Sequence, residues 1–278
     1  MWSVVSIETL NICNLRCRHC PYTSMTRQKE IMPIDLFRKV INDSKEIGIK
    51  VANLNLYGEP LLDTLLFDRI SYCKDKGMEV QFTSNGTLLD GNMAKRVVEH
   101  KVDRIYFSFD GSNKDSYENI RIGANFQEVR YNIMRLSILD KRPQIIIVTV
   151  LQDLNLKERK KIRKMWEGIA DKVQCWPMDN RRNLWEGPLG GSWPCHRVFK
   201  EVNILSNGSV ALCCLDYEGK VILGDSKKTT LREIWNQKDF LSIRKFHLQG
   251  RRRRISLCRG CTLPQREKLS LVRELCHI

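Results

Sequence analysis

The chain has 278 residues, 42% hydrophobic, 28% charged and 8% aromatic, with 47 Lys+Arg against 32 Asp+Glu for a net charge of +15. That length supports one large single-core domain, or one domain and an appendage, and the composition excludes a disordered or collagen-like chain. The longest apolar run, Ile145 to Val150, is strand-sized, so no membrane span is expected.

In chain order, residues 4–8 read as a first strand and 33–46 as a helix, with Pro33 near its first turn. Strands follow at 51–56, 79–84, 104–109, 144–150 and 172–176, with helical spacing at 62–76, 91–99, 126–139 and 156–169. Asn155 stands as a candidate N-cap, with Glu158 three residues on as in a capping box. Strands alternating with helices imply parallel βαβ units. Six such strands are fewer than the eight of a closed barrel. The expected fold is therefore α/β, a partial (β/α)6 TIM-like barrel, with a doubly wound sheet as second choice. After Trp176 the pattern changes. Residues 177–194, rich in Pro and Gly, read as a linker or lid. Runs at 202–205 and 209–212 flank Asn207-Gly208, a strong hairpin signal. Short helical pieces are expected near 231–235 and 239–247, and a last amphipathic helix at about 265–275. The domain boundary is expected near 180, dividing a core, 1–180, from a small auxiliary domain, 181–278.

Eleven cysteines are many for this length. The N-terminus lacks a charged segment followed by an apolar run, so no secretory signal is expected and a cytoplasmic location is the default. In a reducing cytosol, metal binding is a better reading of these cysteines than a disulfide framework. Cys13, Cys17 and Cys20 form C-x3-C-x2-C in the loop after the first predicted strand. Three thiolates packed this closely suit one cubane [4Fe-4S] cluster, with one iron left open for a reactant to chelate. The bland alternatives are a zinc site short of a ligand and a fortuitous group of thiols; zinc sites usually show paired C-x2–4-C knuckles.

The segment Cys13-Asn14-Leu15-Arg16-Cys17-Arg18-His19-Cys20 resembles the signature of radical S-adenosylmethionine (radical SAM) enzymes. In that family an aromatic residue usually precedes the third cysteine and lies near the adenine; here it is His19, which can still stack. Tyr57-Gly58-Glu59-Pro60 resembles the family's GGEP motif, with Tyr57 at the first glycine. That resemblance implies that backbone carbonyls and Glu59 receive the methionine ammonium. Thr83-Ser84-Asn85-Gly86 resembles the segment that contacts ribose and carboxylate, and Ser108-Phe109-Asp110-Gly111 resembles another family segment. Each motif alone reads as a turn, loop or cap signal; their order behind the cysteine triplet makes the resemblance specific. All end predicted strands, where barrel enzymes place their sites. The resemblance implies reductive cleavage of S-adenosylmethionine to a 5′-deoxyadenosyl radical, abstraction of a substrate hydrogen, and a one-electron donor such as flavodoxin or ferredoxin. Arg121, in Arg121-Ile122-Gly123, resembles a segment common after the fourth strand, but reads equally as a surface arginine.

A second constellation lies downstream. Cys195 is followed by 17 residues, then Cys213; 44 more precede Cys258, and Cys261 completes C-x2-C. Four thiolates would close a tetrahedral site or fully ligate a cubane, and chemistry alone does not separate zinc from iron–sulfur. The set resembles a shortened SPASM, or twitch, domain, which implies one auxiliary [4Fe-4S] cluster. Cys214 competes with Cys213 for the ligand role, and the spacing from Gly208 favours Cys213. The spacing is most similar to that of radical SAM dehydrogenases acting on 2-deoxy-scyllo-inosamine. It implies oxidation of a small aminocyclitol- or sugar-like alcohol, with the auxiliary cluster accepting the electron. No base is assigned. Cys73, Cys175, Cys214 and Cys276 are left over. In an epimerase, Cys175 at the end of the sixth strand would return the hydrogen; its bland reading is a buried small hydrophobe. A peptide-modifying maturase is a further alternative, weakened because strand one begins by Val4 with no domain before it. A zinc-site nucleic-acid binder is the non-enzyme alternative. The basic run at 251–254 lends it support, although a solvated surface is the simpler reading, and neither nucleic acid nor membrane is expected as a partner.

Overall fold

The computed structural model describes residues 2–178 and 193–264. Strands β1 (Val4–Ile7), β2 (Val51–Asn53), β3 (Glu79–Ser84), β4 (Arg104–Ser108), β5 (Gln144–Leu151) and β6 (Lys172–Pro177) pair in parallel, each beside the next in chain order. The crossovers carry α1 (Ile34–Glu46), α2 (Leu66–Asp75), α3 (Gly91–Glu99), α4 (Lys114–Ile120), α5 (Phe126–Ser137) and α6 (Arg159–Met165). A doubly wound sheet reverses its strand order at a switch point. Over β1–β6 the order runs straight through, so these six strands lack the reversal of the second-choice topology.

Right-handed crossovers on a sequential sheet bring the helices to one face. Strand alternation identifies that face. Val5, Val80, Phe82, Ile105, Phe107 and Ile147 are buried in one core with Phe37, Ile70, Val97 and Ile133 from the helices. The alternate residues, among them Ser6, Asn53, Gln81, Thr83 and Tyr106, are mostly polar and line a cavity. A parallel sheet buried on both faces would read as near-continuous aliphatic strands. Its polar inner face is therefore where function is to be sought.

The sheet does not stop at the expected boundary. Short helix α7 (Arg197–Lys200) leads into β7 (Glu201–Ile204), which lies parallel to β1 in the register Val4↔Glu201 and Ser6↔Asn203. Antiparallel β8 (Ser209–Ala211) and β9 (Ile222–Asp225) follow, giving nine strands in one sheet among the described residues. Gly208 makes the β7–β8 turn at φ +87°, as the Asn-Gly signal predicts. Helices α8 (Leu231–Asn236) and α9 (Lys238–Leu248) pack beyond, α8 opened by a full Thr230/Glu233 capping box. The expected helix at 265–275, Cys276 and most of the 177–194 segment lie outside the described residues.

Two expectations fail locally. Asn155 does not cap a helix; its side chain accepts from Gln152 N at 2.7 Å and donates to Asp110 O at 3.1 Å. Glu158 likewise turns away, accepting from Ser112 N (2.6 Å) and Ser116 Oγ (2.8 Å), so the helix proper starts only at Arg159. The basic run at 251–254 is not wholly a solvated surface: Arg252 is buried, while Arg251, Arg253 and Arg254 are exposed.

Candidate active site

The loop after β1 is fixed at several points. Arg16 N donates to Ile122 O and Arg18 N to Ile120 O, both at 3.0 Å, and Cys20 N donates to Cys17 O at 3.1 Å. Cys13 N donates to Tyr22 Oη at 2.9 Å. From the other side Glu59 N donates to Ile12 O at 2.8 Å. The chain there passes so close that a Cβ on Gly58 would stand 2.7 Å from Leu10 O, and Gly58 itself has φ +110°. Only glycine fits that position.

These contacts bring Cys13, Cys17 and Cys20 to the wall of one cavity of about 260 Å³ at the C-terminal strand ends. His19, Tyr57, Gly58, Glu59, Ser84, Asn85 and Ser108 line the same cavity, as the motif order implies. Pro60 stands behind it, opening a 3-10 turn. Asp110 is also one layer back, fully buried, with Oδ1 accepting from Val150 N at 2.6 Å. It reaches the cavity through two neighbours: Arg121 Nη2 at 2.6 Å and His19 Nε2 at 3.7 Å. Glu59 is buried and heavily bonded: Oε1 accepts from Ser84 Oγ (2.7 Å) and Leu61 N (3.1 Å), Oε2 from Asn85 N (2.7 Å). Burial pushes its pKa up, and those three donors resist the shift.

Arg121, which the sequence leaves undecided, is a cavity residue and not a surface one. Its Nη1 lies 3.7 Å from Cys17 Sγ. Burial opposes its charge, but Asp110, Cys17 and Tyr117 outweigh burial and raise its pKa. A cation is thus held permanently against a thiol and an open cavity.

Three thiols on the wall of one cavity fit a cubane, which spreads its ligands around such a space. Burial pushes Cys13 up to about 11, and it raises Cys17 against the opposing pull of Arg121. Iron would displace those protons, as ligating thiols must be deprotonated.

Downstream, Cys213 sits within electrostatic reach of Cys258 and Cys261; burial first, then these neighbours and Cys214, raise its pKa strongly. His247 ties Cys195 to the group: its Nδ1 accepts from Cys195 N at 3.1 Å and its Nε2 lies 3.7 Å from Cys258 Sγ. Burial, helped by Arg252, lowers the His247 pKa to about 4, so the ring is neutral. Buried Arg252 donates to Cys258 O (2.6 Å) and Cys261 O (2.8 Å) and so pins the C-x2-C knuckle. Cys213 thus lies near Cys258 and Cys261, and the backbone of Cys195 is tied to the same region through His247.

Cys175 shares the face of Thr149, its register partner, and its thiol lies beside Arg163 of α6. It is therefore on the helix side of the sheet, not at the cavity that its place at a strand end suggests. The thiol that does line the cavity, besides the triplet, is Cys214. The sequence signal for it is the Cys213-Cys214 pair.

A sequence profile of the radical SAM superfamily matches residues 7–165. The chain belongs to the radical SAM superfamily. A second profile, SPASM, an iron–sulfur cluster-binding domain, matches residues 195–262. The two domains imply S-adenosylmethionine and two [4Fe-4S] clusters as cofactors. Among curated relatives, a tungsten-containing aldehyde ferredoxin oxidoreductase cofactor-modifying protein of Pyrococcus furiosus is 27% identical over 55% of this chain and 44% of its own. A GTP 3′,8-cyclase of Desulforamulus reducens is 28% identical over 54% of this chain and 47% of its own. The chain thus spans about half the length of the curated relatives it matches. In fold it is similar to BtrN in complex with AdoMet and 2-DOIA, with a TM-score of 0.69 and 17% identity over 94% of this chain and 93% of that one. It is also similar to Streptococcus suis SuiB bound to the precursor peptide SuiA: TM-score 0.74, 14% identity, 96% and 71% covered. No helix among the described residues is long and apolar enough to cross a membrane.

Proposed function

We propose that this radical SAM protein removes hydrogen from a carbon of a small, hydroxylated substrate and oxidises it to a carbonyl. The observation that carries the reading is a pair of joined cavities. The first holds the Cys13, Cys17 and Cys20 thiols; the second, about 350 Å³, lies on the polar inner face and shares Asn55, Leu56, Thr83 and Cys214 with it. Ser6, Asn53, Gln81, Tyr106 and the Arg197–Glu201 pair line the second cavity. Hydroxyls, amides and one ion pair suit a compact molecule bearing several hydroxyl or amino groups.

In this reading Cys13, Cys17 and Cys20 hold the first cluster, and Cys195, Cys213, Cys258 and Cys261 the auxiliary one. S-adenosylmethionine bound at the first cluster supplies a 5′-deoxyadenosyl radical. The chain's own residues orient it. Arg121 offers its guanidinium to the carboxylate, Tyr57-Gly58-Glu59 present carbonyls and a carboxylate to the ammonium, and Ser84, Asn85, Ser108 and His19 flank the nucleoside. Four cysteines would ligate the auxiliary cluster fully and leave it no iron for substrate; such a cluster would supply a place for the substrate's electron. Glu201, a carboxylate on the inner cavity, is placed to take the hydroxyl proton. A low-potential donor of the flavodoxin or ferredoxin class supplies the priming electron.

The test is anaerobic cluster reconstitution, then reaction with S-adenosylmethionine, dithionite and a panel of polyols and aminocyclitols in deuterated water. A product two hydrogens lighter, with methionine and 5′-deoxyadenosine, is expected. Products of unchanged mass alone would overturn the oxidation, and absence of 5′-deoxyadenosine would overturn the whole reading.

A further inference from the structure

His247 is a fully buried titratable side chain that the proposed reaction leaves unused. It stands in the last turn of α9, and both of its ring nitrogens are spent on cysteines. Nδ1 accepts from Cys195 N at 3.1 Å, and Nε2 lies 3.7 Å from Cys258 Sγ. A backbone N–H can only donate, so Nδ1 carries no hydrogen. The ring hydrogen is therefore on Nε2, where it donates to the Cys258 sulfur. A histidine serving shape alone needs no particular partners; these two are among the four cysteines read as auxiliary ligands.

The contact is held from both sides. Arg252 donates to Cys258 O at 2.6 Å and to Cys261 O at 2.8 Å, which fixes the knuckle that carries the sulfur. On the ring side, Phe240 of α9 packs against Trp2 and Trp235, with centroids 5.4 and 5.6 Å apart. Cys258 and His247 are both buried, so water does not compete for the hydrogen bond.

We propose that His247 is a positioning residue for the auxiliary cluster: its Nε2–H donates to the Cys258 sulfur and raises the potential at which that cluster accepts an electron. Reduction adds negative charge that spreads onto the ligating sulfurs, so a hydrogen bond to sulfur stabilises the reduced state more than the oxidised one. The bond from Cys195 N fixes the tautomer; the other tautomer would turn a lone pair toward Cys258. The cluster gains one electron and no proton moves, since Nε2 already holds its hydrogen. The inference rests on the reading of Cys258 as an auxiliary ligand and is independent of the substrate.

The test uses the full chain with Cys13, Cys17 and Cys20 replaced by alanine, so that anaerobic reconstitution loads the auxiliary cluster alone, at about four irons per chain. Electron paramagnetic resonance then follows the reduced cluster as dithionite lowers the potential in the presence of mediators. At the potential that half-reduces this parent, His247→Phe is expected to show a several-fold smaller reduced fraction at unchanged iron content. His247→Gln, whose amide keeps an N–H toward sulfur, is expected to recover most of it. A role in packing alone predicts the reverse, because phenylalanine fills the space of the ring and glutamine does not. Labelling of histidine with nitrogen-15 gives a measure that needs no variant: pulsed resonance on the reduced parent is expected to show weak couplings to a histidine nitrogen and to one exchangeable hydrogen. Equal reduced fractions in His247→Phe and the parent would overturn the proposal. So would absence of those couplings, a result that stands even if neither variant loads iron. A parent that loads no iron, or that keeps all of it when Cys258 is also replaced by alanine, would instead remove the ligand reading, and the proposal with it.

Discussion

Arg121 shows how much one buried charge organises. Its guanidinium neutralises Asp110, touches Cys17 and faces the cavity that would receive a carboxylate. Asp110 has no water to fall back on, being fully buried. Arg121→Ala should therefore cost about 3–5 kcal/mol, the usual penalty for stranding one partner of a buried pair. Denaturant titration of the cluster-free protein checks this; a loss below about 1 kcal/mol would show the pair to be dispensable. Arg121→Ala/Asp110→Asn should recover a large part of the loss, since no charge is then stranded. Gly58→Ala is a second test at this scale. Its Cβ would strike Leu10 O and Ile12 O in the arm that carries Cys13, so iron uptake at the first cluster should fall. Unchanged iron content would mean that the loop can shift at no cost.

Among elements, the strands and the long helices were legible, and the short connections were not. Residues 79–84 and 91–99 match β3 and α3 to the residue, because strong alternation and a clear Asp90 cap leave no competing pattern. Asn155 and Glu158 have capping-box spacing, yet both bond to the loop after β4, a choice set by tertiary neighbours no local window contains. Burial works against the charge on Glu158, but Ser112, Ser116 and Asn113 together hold its pKa below the ordinary value. Its folded-state pKa is depressed, so its stabilisation is present above the unfolded pKa and fades as pH falls through the folded one. The stability gap between wild type and Glu158→Gln should accordingly be larger at neutral pH than near pH 3, measured by thermal unfolding in both buffers. A gap that does not change with pH would contradict the hydrogen-bond account. The knuckle at Cys258 and Cys261 hangs on Arg252, which the sequence presents as one of four consecutive arginines. Arg252→Ala should halve iron content from about eight to about four per chain, by loss of the auxiliary cubane alone. Full loading would show that the knuckle forms without it.

Among the described residues the strands form one sheet, and the two matched domains share its hydrogen bonding. The seven parallel strands run from β6 through β1 to β7, so the matched SPASM segment builds directly onto the radical SAM core. Glu8 shows the join, accepting from Arg27 Nη1 at 2.8 Å and from Ser206 N at 3.1 Å. The expected core was legible because its motifs fall at the ends of successive strands. The placement of Cys214 and Arg121 at the cavity was not: Cys214 depends on how the downstream segment folds against the cysteine loop, and Arg121 on the bonds of residues 120 and 122 to that loop. The account depends most on a cubane held by Cys13, Cys17 and Cys20 with its remaining iron open to S-adenosylmethionine. Electron–nuclear double resonance on the reduced, reconstituted protein, with nitrogen-15 in the methionine amine, reads that iron directly. The account predicts a strong nitrogen hyperfine coupling that disappears when the three cysteines are replaced by alanine. A cluster signal with no coupling to the labelled amine, or a coupling that survives those replacements, would contradict it.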